Sequence, residues 1–262
     1  MSLTFGSGPL ASNPTGHFNF DLGDAPKHRL LFEAYPRRMR AFLGERVVLD
    51  STRGKLLHES NLLPVYYCPV EDMADDLLAE SDHHTHCPFK GDASYWSVKV
   101  DGREIENAVW YYPEPLEPSR WLDGYAALSW ELADLWLQED EPVRGHLRDP
   151  YHRVDVYESS RRVKVKAAGT VIAETDRPKL VFETSLPPRA YLLRSDVLPG
   201  ILEQSQTTSS CPYKGEATWW NVRTGDGVIE DAAWSYETPL PEAAKAVSHL
   251  SFDGDGIETE VS

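Results

Sequence analysis

The chain is predicted to be mainly β, with one antiparallel domain built twice in tandem. Three observations predict this. Slid against itself at an offset of 124, the 262-residue sequence aligns Pro26–Leu116 with Pro150–Leu240 without a gap, with 30 identities in 91 positions. Unrelated sequences would share roughly 5 to 6. Each copy carries short stretches rich in β-branched and aromatic residues, the composition of strands. Between Val100 and Arg103, Asp101-Gly102 is the signature of a two-residue hairpin turn. So long a period marks whole domains rather than a solenoid. The reading is a flexible segment over 1–25, a first repeat domain over 26–147 and a second over 148–262, with the break between Gln138 and Pro150.

Taken in order, Arg46–Asp50, Pro64–Tyr67, Ser94–Val100 and Ala108–Tyr112 read as strands, as do Thr218–Arg223 and Ala232–Tyr236 in the second copy. Glu71–Ser81 reads as one short helix, with acids in its first turn and Met73, Leu77 and Leu78 on one face. A second short helix is expected near Ser129–Gln138. The hairpin register places Ala93 opposite Trp110, and Ala217 opposite Trp234, a small residue facing a large one. Met1–Ala25 and Asp253–Ser262 are expected to be poorly ordered.

The 42 acidic residues outnumber the 26 basic ones, for a net charge of -16. That field repels phosphate backbones and anionic lipid, so neither nucleic acid nor a membrane is an expected partner. No run approaches the roughly 18 apolar residues of a membrane span, and the N-terminus lacks a leader pattern, so a cytoplasmic protein is expected. Cys68, Cys87 and Cys211 are odd in number and far apart, which suits reduced thiols.

The densest identity is Cys87–Trp96 against Cys211–Trp220, followed by Ile105–Tyr112 against Ile229–Tyr236. On these residues the chain resembles the family called domain of unknown function 427, in its two-copy form. The first copy carries the family pattern as Leu49-Asp50-Ser51, Glu59, Tyr66-Tyr67, Asp72, Ser81-Asp82, Thr85, Cys87-Pro88-Phe89-Lys90-Gly91 and Ala93. The second departs from it at Ala190-Tyr191 and Ser209. The resemblance covers about Pro26 to Phe252 and implies a β-tent-like fold. That fold is shared with B-type methionine sulfoxide reductases and the thalidomide-binding domain of cereblon. Those relatives hold zinc through paired Cys-x-x-Cys motifs; with none here, neither metal nor cofactor is expected. An older nucleotidyltransferase-like label finds no Gly-rich phosphate loop and no spaced Asp pair to support it.

Four groups of residues are candidates for chemistry. In Cys87-Pro-Phe-Lys90 and Cys211-Pro-Tyr-Lys214 an ammonium near a thiol would favour thiolate, which makes Cys87 the candidate nucleophile. Against it, no histidine recurs nearby as a base, and Lys90 would equally serve to cap turn carbonyls. His83, His86 and Cys87 are metal-ligand types, but the second copy has no counterpart, and the metal set is read as none. Tyr67, Trp96, Trp110 and Tyr112 recur as Tyr191, Trp220, Trp234 and Tyr236, and with Phe89 and Tyr213 would line a cage for a flat or cationic small molecule. Core packing explains the same aromatics, so both readings stay open. Glu59, among apolar neighbours and repeated as Glu183, is expected to be partly buried and paired with Lys90 or Arg53.

Three functions follow. The first is a small-ligand-binding protein with an aromatic-lined pocket in each repeat. The second is a thiol-dependent enzyme centred on Cys87. The third is a scaffold whose repeats pack as a pseudo-dimer and whose acidic surface selects basic proteins.

Overall fold

The computed structural model describes residues 3–6, 8–21, 23, 25–225 and 227–262. They form two compact units, Leu3–Asp149 and Pro150–Ser262. In the first unit the strands are β1 (Leu30–Ala34), β2 (Met39–Leu43), β3 (Arg46–Ser51), β4 (Lys55–Glu59), β5 (Val65–Pro69), β6 (Leu78–Cys87), β7 (Gly91–Val100), β8 (Arg103–Tyr111), β9 (Tyr125–Leu128), β10 (Leu135–Gln138) and β11 (Glu141–Val143). They make two antiparallel sheets, a large one in the order β1-β4-β5-β9-β8-β7-β6 and a small one in the order β11-β10-β2-β3.

The second unit repeats this plan. Its strands are β12 (Val154–Glu158), β13 (Val163–Ala167), β14 (Thr170–Thr175), β15 (Lys179–Glu183), β16 (Arg189–Leu193), β17 (Leu202–Cys211), β18 (Gly215–Thr224), β19 (Gly227–Ser235), β20 (His249–Phe252) and β21 (Ile257–Val261). Each of β12 to β20 lies 124 residues after its counterpart in β1 to β9. The sheets are β12-β15-β16-β20-β19-β18-β17 and β14-β13-β21. The fold is therefore mainly β, as predicted. No described helix is long and apolar enough to cross a membrane.

Alternation along the strands of the large sheet of the first unit sends side chains to two separate cores. Leu56, Tyr66 and Ala126 join Met39, Val48 and Trp136 in the core shared with the small sheet. Their neighbours Leu57, Tyr67 and Ala127 point the other way, into a second cluster with Ala93, Tyr112 and Leu122. This second face carries the candidate site.

Several expectations are corrected. Glu71–Ser81 is not a helix: it makes two 3-10 turns, Val70–Asp72 and Asp75–Leu77, and then enters β6. The backbone is drawn off by neighbours, since Ala74 N–H donates to the Val48 carbonyl and Met73 bridges Leu49. Ser129–Gln138 likewise gives a 3-10 turn at Trp130–Leu132 followed by β10. The hairpin forms, but Trp110 lies opposite Tyr95 and Trp234 opposite Trp219. A bulge at Asn107 (φ 54°) and Asp231 (φ 49°) advances β8 and β19 by two residues, which keeps each side chain on its face. Asn and Asp tolerate that left-handed backbone better than most residues.

Within Asp253–Ser262, β21 pairs with β13 over Val163↔Val261 to Ala167↔Ile257, so this tail is structured. Of the segment 1–25, Met1, Ser2, Ser7, Leu22 and Asp24 lie outside the described residues. Its first part is tied to the first unit: Ser60 Oγ donates to the Leu10 carbonyl at 2.6 Å and Asn61 N–H to the Thr4 carbonyl at 2.8 Å.

Candidate functional site

The site is built around the turn between β6 and β7. Lys90 N–H donates to the Cys87 carbonyl at 3.2 Å, and the Lys90 carbonyl accepts from Leu116 N–H at 3.0 Å. Gly91 follows at φ 104°, where a Cβ would stand 3.3 Å from the Glu114 carbonyl oxygen; Gly215 repeats this at φ 102°, 3.2 Å from that of Thr238. A left-handed backbone against a neighbouring carbonyl requires glycine.

The turn leaves the Lys90 side chain to run inward. Its Nζ lies 2.5 Å from Glu59 Oε1, and the two residues are 8% and 4% exposed. Of the two partners expected for Glu59, it is Lys90 that binds; Arg53 is held by Asp72 at 2.5 Å. The other Glu59 oxygen, Oε2, is 3.1 Å from His28 Nε2, and the His28 ring stacks on Phe89 at 4.1 Å. The second unit rebuilds the arrangement: Lys214 binds Glu183, His152 Nε2 lies 3.6 Å from Glu183 Oε2, and the His152 ring leans on Tyr213 at 4.3 Å. Burial pushes the Glu183 carboxyl up in pKa, but the His152 hydrogen bond and the Lys214 ammonium outweigh it and hold the group at about 2.

The histidine is the functional residue that sequence reasoning missed. A histidine remote in sequence from the Cys-Pro-x-Lys turn recurs in both copies and contacts the carboxylate. The signal was available, because His28 and His152 are among the identities of the repeat. The same geometry gives the Lys90 ammonium a carboxylate partner in Glu59. Cys87 and Cys211 are half-buried free thiols packed against the aromatic clusters.

Above this network stand the aromatics. Trp110 Nε1–H donates to the Tyr67 hydroxyl at 2.9 Å, and Trp234 Nε1–H to the Tyr191 hydroxyl at 3.0 Å. The rings of each pair meet edge to face, at 85° and 88°. Lys90 Nζ sits 5.7 Å from the centre of the Tyr112 ring, and Lys214 Nζ 5.8 Å from that of Tyr236. Burial pushes the phenols of Tyr67, Tyr112, Tyr191 and Tyr236 well up in pKa, so they stay neutral donors and acceptors. Trp96 and Trp220 do not belong with this set. They lie on the opposite face, Trp96 stacked on Tyr111 at 4.0 Å and Trp220 bonded to Ser235 Oγ at 3.1 Å. Their places beside Trp110 and Trp234 are taken by Tyr95 and Trp219, which the bulged register puts directly opposite.

In the second unit these groups surround an open depression of about 420 Å³, lined by Arg189, Lys214, Trp219, Trp234, Tyr236 and Asp253. The Arg189 guanidinium lies 5.0 Å over the Trp234 ring and 2.8 Å from Asp253 Oδ2. The two histidines weighed as metal ligands have other contacts: His86 Nδ1 pairs with Asp92 at 2.6 Å, and the His83 ring meets Tyr95 at 4.6 Å. Among the described residues no three His, Cys, Asp or Glu side chains are gathered to hold a metal ion.

The Cys-Pro-aromatic-Lys-Gly turn, its buried carboxylate and the doubled frame match a family model over residues 31–139 and again over 155–262. The chain belongs to the family described as domain of unknown function DUF427. Both matched segments begin just after the histidines, so the DUF427 frame supplies the carboxylate and lysine while His28 and His152 stand immediately before it. No curated protein matches the chain.

Proposed function

We propose that this DUF427 chain is a cytoplasmic binding protein, each repeat holding a small planar ligand against its recurring Trp–Tyr pair above the buried His–Glu–Lys network. The observation that carries this reading is the depression in the second unit, where two tryptophans and a tyrosine line a space large enough for a ring system and bounded by ion-paired polar groups. The residues of the proposed ligand-binding set are Glu59, Tyr67, Cys87, Phe89, Lys90, Tyr95, Trp110 and Tyr112, with Tyr191, Cys211, Tyr213, Lys214, Trp219 and Trp234 in the second copy.

Of the two ligand classes considered, the flat one is favoured over the cationic. Arg189 already occupies the face of Trp234 and Lys214 stands beside Tyr236, so an added cation would meet two positive charges. A planar aromatic acid suits the same walls, with its ring on Trp219 and its carboxylate competing with Asp253 for Arg189. Glu183, ionised down to a pH of about 2, keeps Lys214 fixed while this happens.

Titration of the full chain with 2-naphthoate, read from the tryptophan indole N–H signals by NMR, tests the reading. Saturable movement of the Trp219 and Trp234 signals, weakened by Arg189→Met, is expected. Naphthoate and related planar acids that leave both signals unmoved would overturn it.

A further inference from the structure

The large sheet of the first unit is forked. The ladder between β5 and β9 runs through Pro69↔Tyr125 and Cys68↔Ala126, and the two strands then diverge. A cleft of about 170 Å³ fills the fork, walled by Val65 and Tyr66 of β5, Leu128 of β9, and Trp110, Trp130 and Trp136. Its walls present apolar surface because their polar atoms are committed elsewhere. Trp136 Nε1–H donates to the Trp130 carbonyl at 3.0 Å, Trp110 Nε1–H to Tyr67, and the Tyr66 hydroxyl to the Ser51 carbonyl at 3.4 Å. Trp130 and Trp136 stack at 4.5 Å with their planes 2° apart, forming a flat wall.

The second unit has the same fork, with its ladder at Leu193↔His249 and Leu192↔Leu250. There the positions of Val65 and Ser129 are held by Arg189 and Asp253, whose 2.8 Å ion pair spans the gap. Gly254 stands at the position of Trp130. The first unit has therefore lost or never had the bridge, and has tryptophans lining the opening.

We propose that the β5–β9 fork of the first unit is a second binding site, taking one uncharged aromatic ring of phenyl to indole size. The size follows from the volume, since a dry apolar cavity of roughly 150 Å³ accommodates benzene. The shape follows from the stacked indole wall, which favours a flat partner in offset or edge contact. Neutrality follows from a lining that holds no lysine or arginine, in which His146 Nδ1 is engaged by the Leu147 carbonyl at 2.8 Å, and from Glu131, whose exposed carboxylate at the rim repels an anion. This site goes beyond the function proposed above and shares one wall, Trp110, with it.

Indole titrated into the full chain, with the tryptophan indole N–H signals followed by NMR, tests the proposal. The Trp130 and Trp136 signals are expected to move saturably, and indole-3-acetate to bind at least roughly tenfold more weakly than indole. Val65→Arg with Ser129→Asp, which installs the bridge of the second unit, is expected to weaken indole by the same roughly tenfold factor while melting and circular dichroism stay native. Should that double variant fail to fold, Ser129→Phe fills the mouth from a half-buried position and serves instead. Unmoved Trp130 and Trp136 signals, or indole binding equally well to a folded variant, would overturn the proposal. The Trp219 and Trp234 signals report the second unit separately, so failure here and failure of the naphthoate test are distinguishable.

Discussion

Glu183→Gln removes the charge at the centre of the buried network of the second unit, and its effect on stability is expected to depend on pH in a specific way. Folding lowers the Glu183 pKa from 4.5 to about 2, because the His152 hydrogen bond and Lys214 ammonium outweigh burial. A carboxylate depressed by folding contributes stability in full above its unfolded pKa and gives it up as pH falls toward the folded value. The shift is worth about 3 kcal/mol at pH 7, and more than half of that should be gone by about pH 3. In the variant Lys214 loses its ionised partner, which adds a penalty of its own. Urea unfolding of wild type and Glu183→Gln, followed by circular dichroism at several pH values between about 7 and 2.5, should show a gap that narrows on acidification. A gap of constant size would refute the assignment of the charge to Glu183. Glu183→Leu combined with Lys214→Met should recover most of the loss, because replacing both buried partners by apolar groups is close to neutral.

Two further outcomes follow from the same clusters. Tyr191→Phe strands the buried Trp234 indole N–H and should lower the unfolding free energy by about 1–3 kcal/mol, seen as a lower urea midpoint at unchanged slope. Cys68 is fully buried with its thiol pushed up in pKa, whereas Cys87 and Cys211 are half-buried; iodoacetamide on the folded protein should label the latter two and spare Cys68 until denaturant is added.

The strands were legible because apolar alternation and β-branched composition are local properties, and the duplication displays them twice. The segment Glu71–Ser81 misled because its acids and apolar spacing suit a helix, while the competing demand, pairing with Val48 and Leu49, is remote in sequence. The second copy held the corrective: Pro199-Gly200 aligns with Asp75-Asp76 and is incompatible with a helix there. The bulge was hidden because one left-handed residue, Asn107, resets the register without altering the pattern of faces. That same parity argues against Trp96 as a neighbour of Trp110, since Ala93 and Tyr95 share a face that Trp96 cannot. Glu59 was readable as a buried carboxylate from its repetition among apolar neighbours, with Lys90 and Arg53, which also recur, both open as its partner. His28 recurs as His152, but it stands before the first strand, where no pattern of faces points it at Glu59.

The buried Lys–Glu pair has a consequence for how the two copies have drifted. Either partner replaced alone leaves an isolated charge away from water, whereas a harmless exchange needs two changes at once, at positions 31 residues apart. Single-step mutation is therefore nearly barred from the base of the site. The rim is exposed, so a charge there stays solvated whether or not it is paired, and Val65 against Arg189, Ser129 against Asp253 and Trp130 against Gly254 have diverged. A duplicated gene with a locked foundation and solvated edges can reshape the rim of one copy while the other keeps its own.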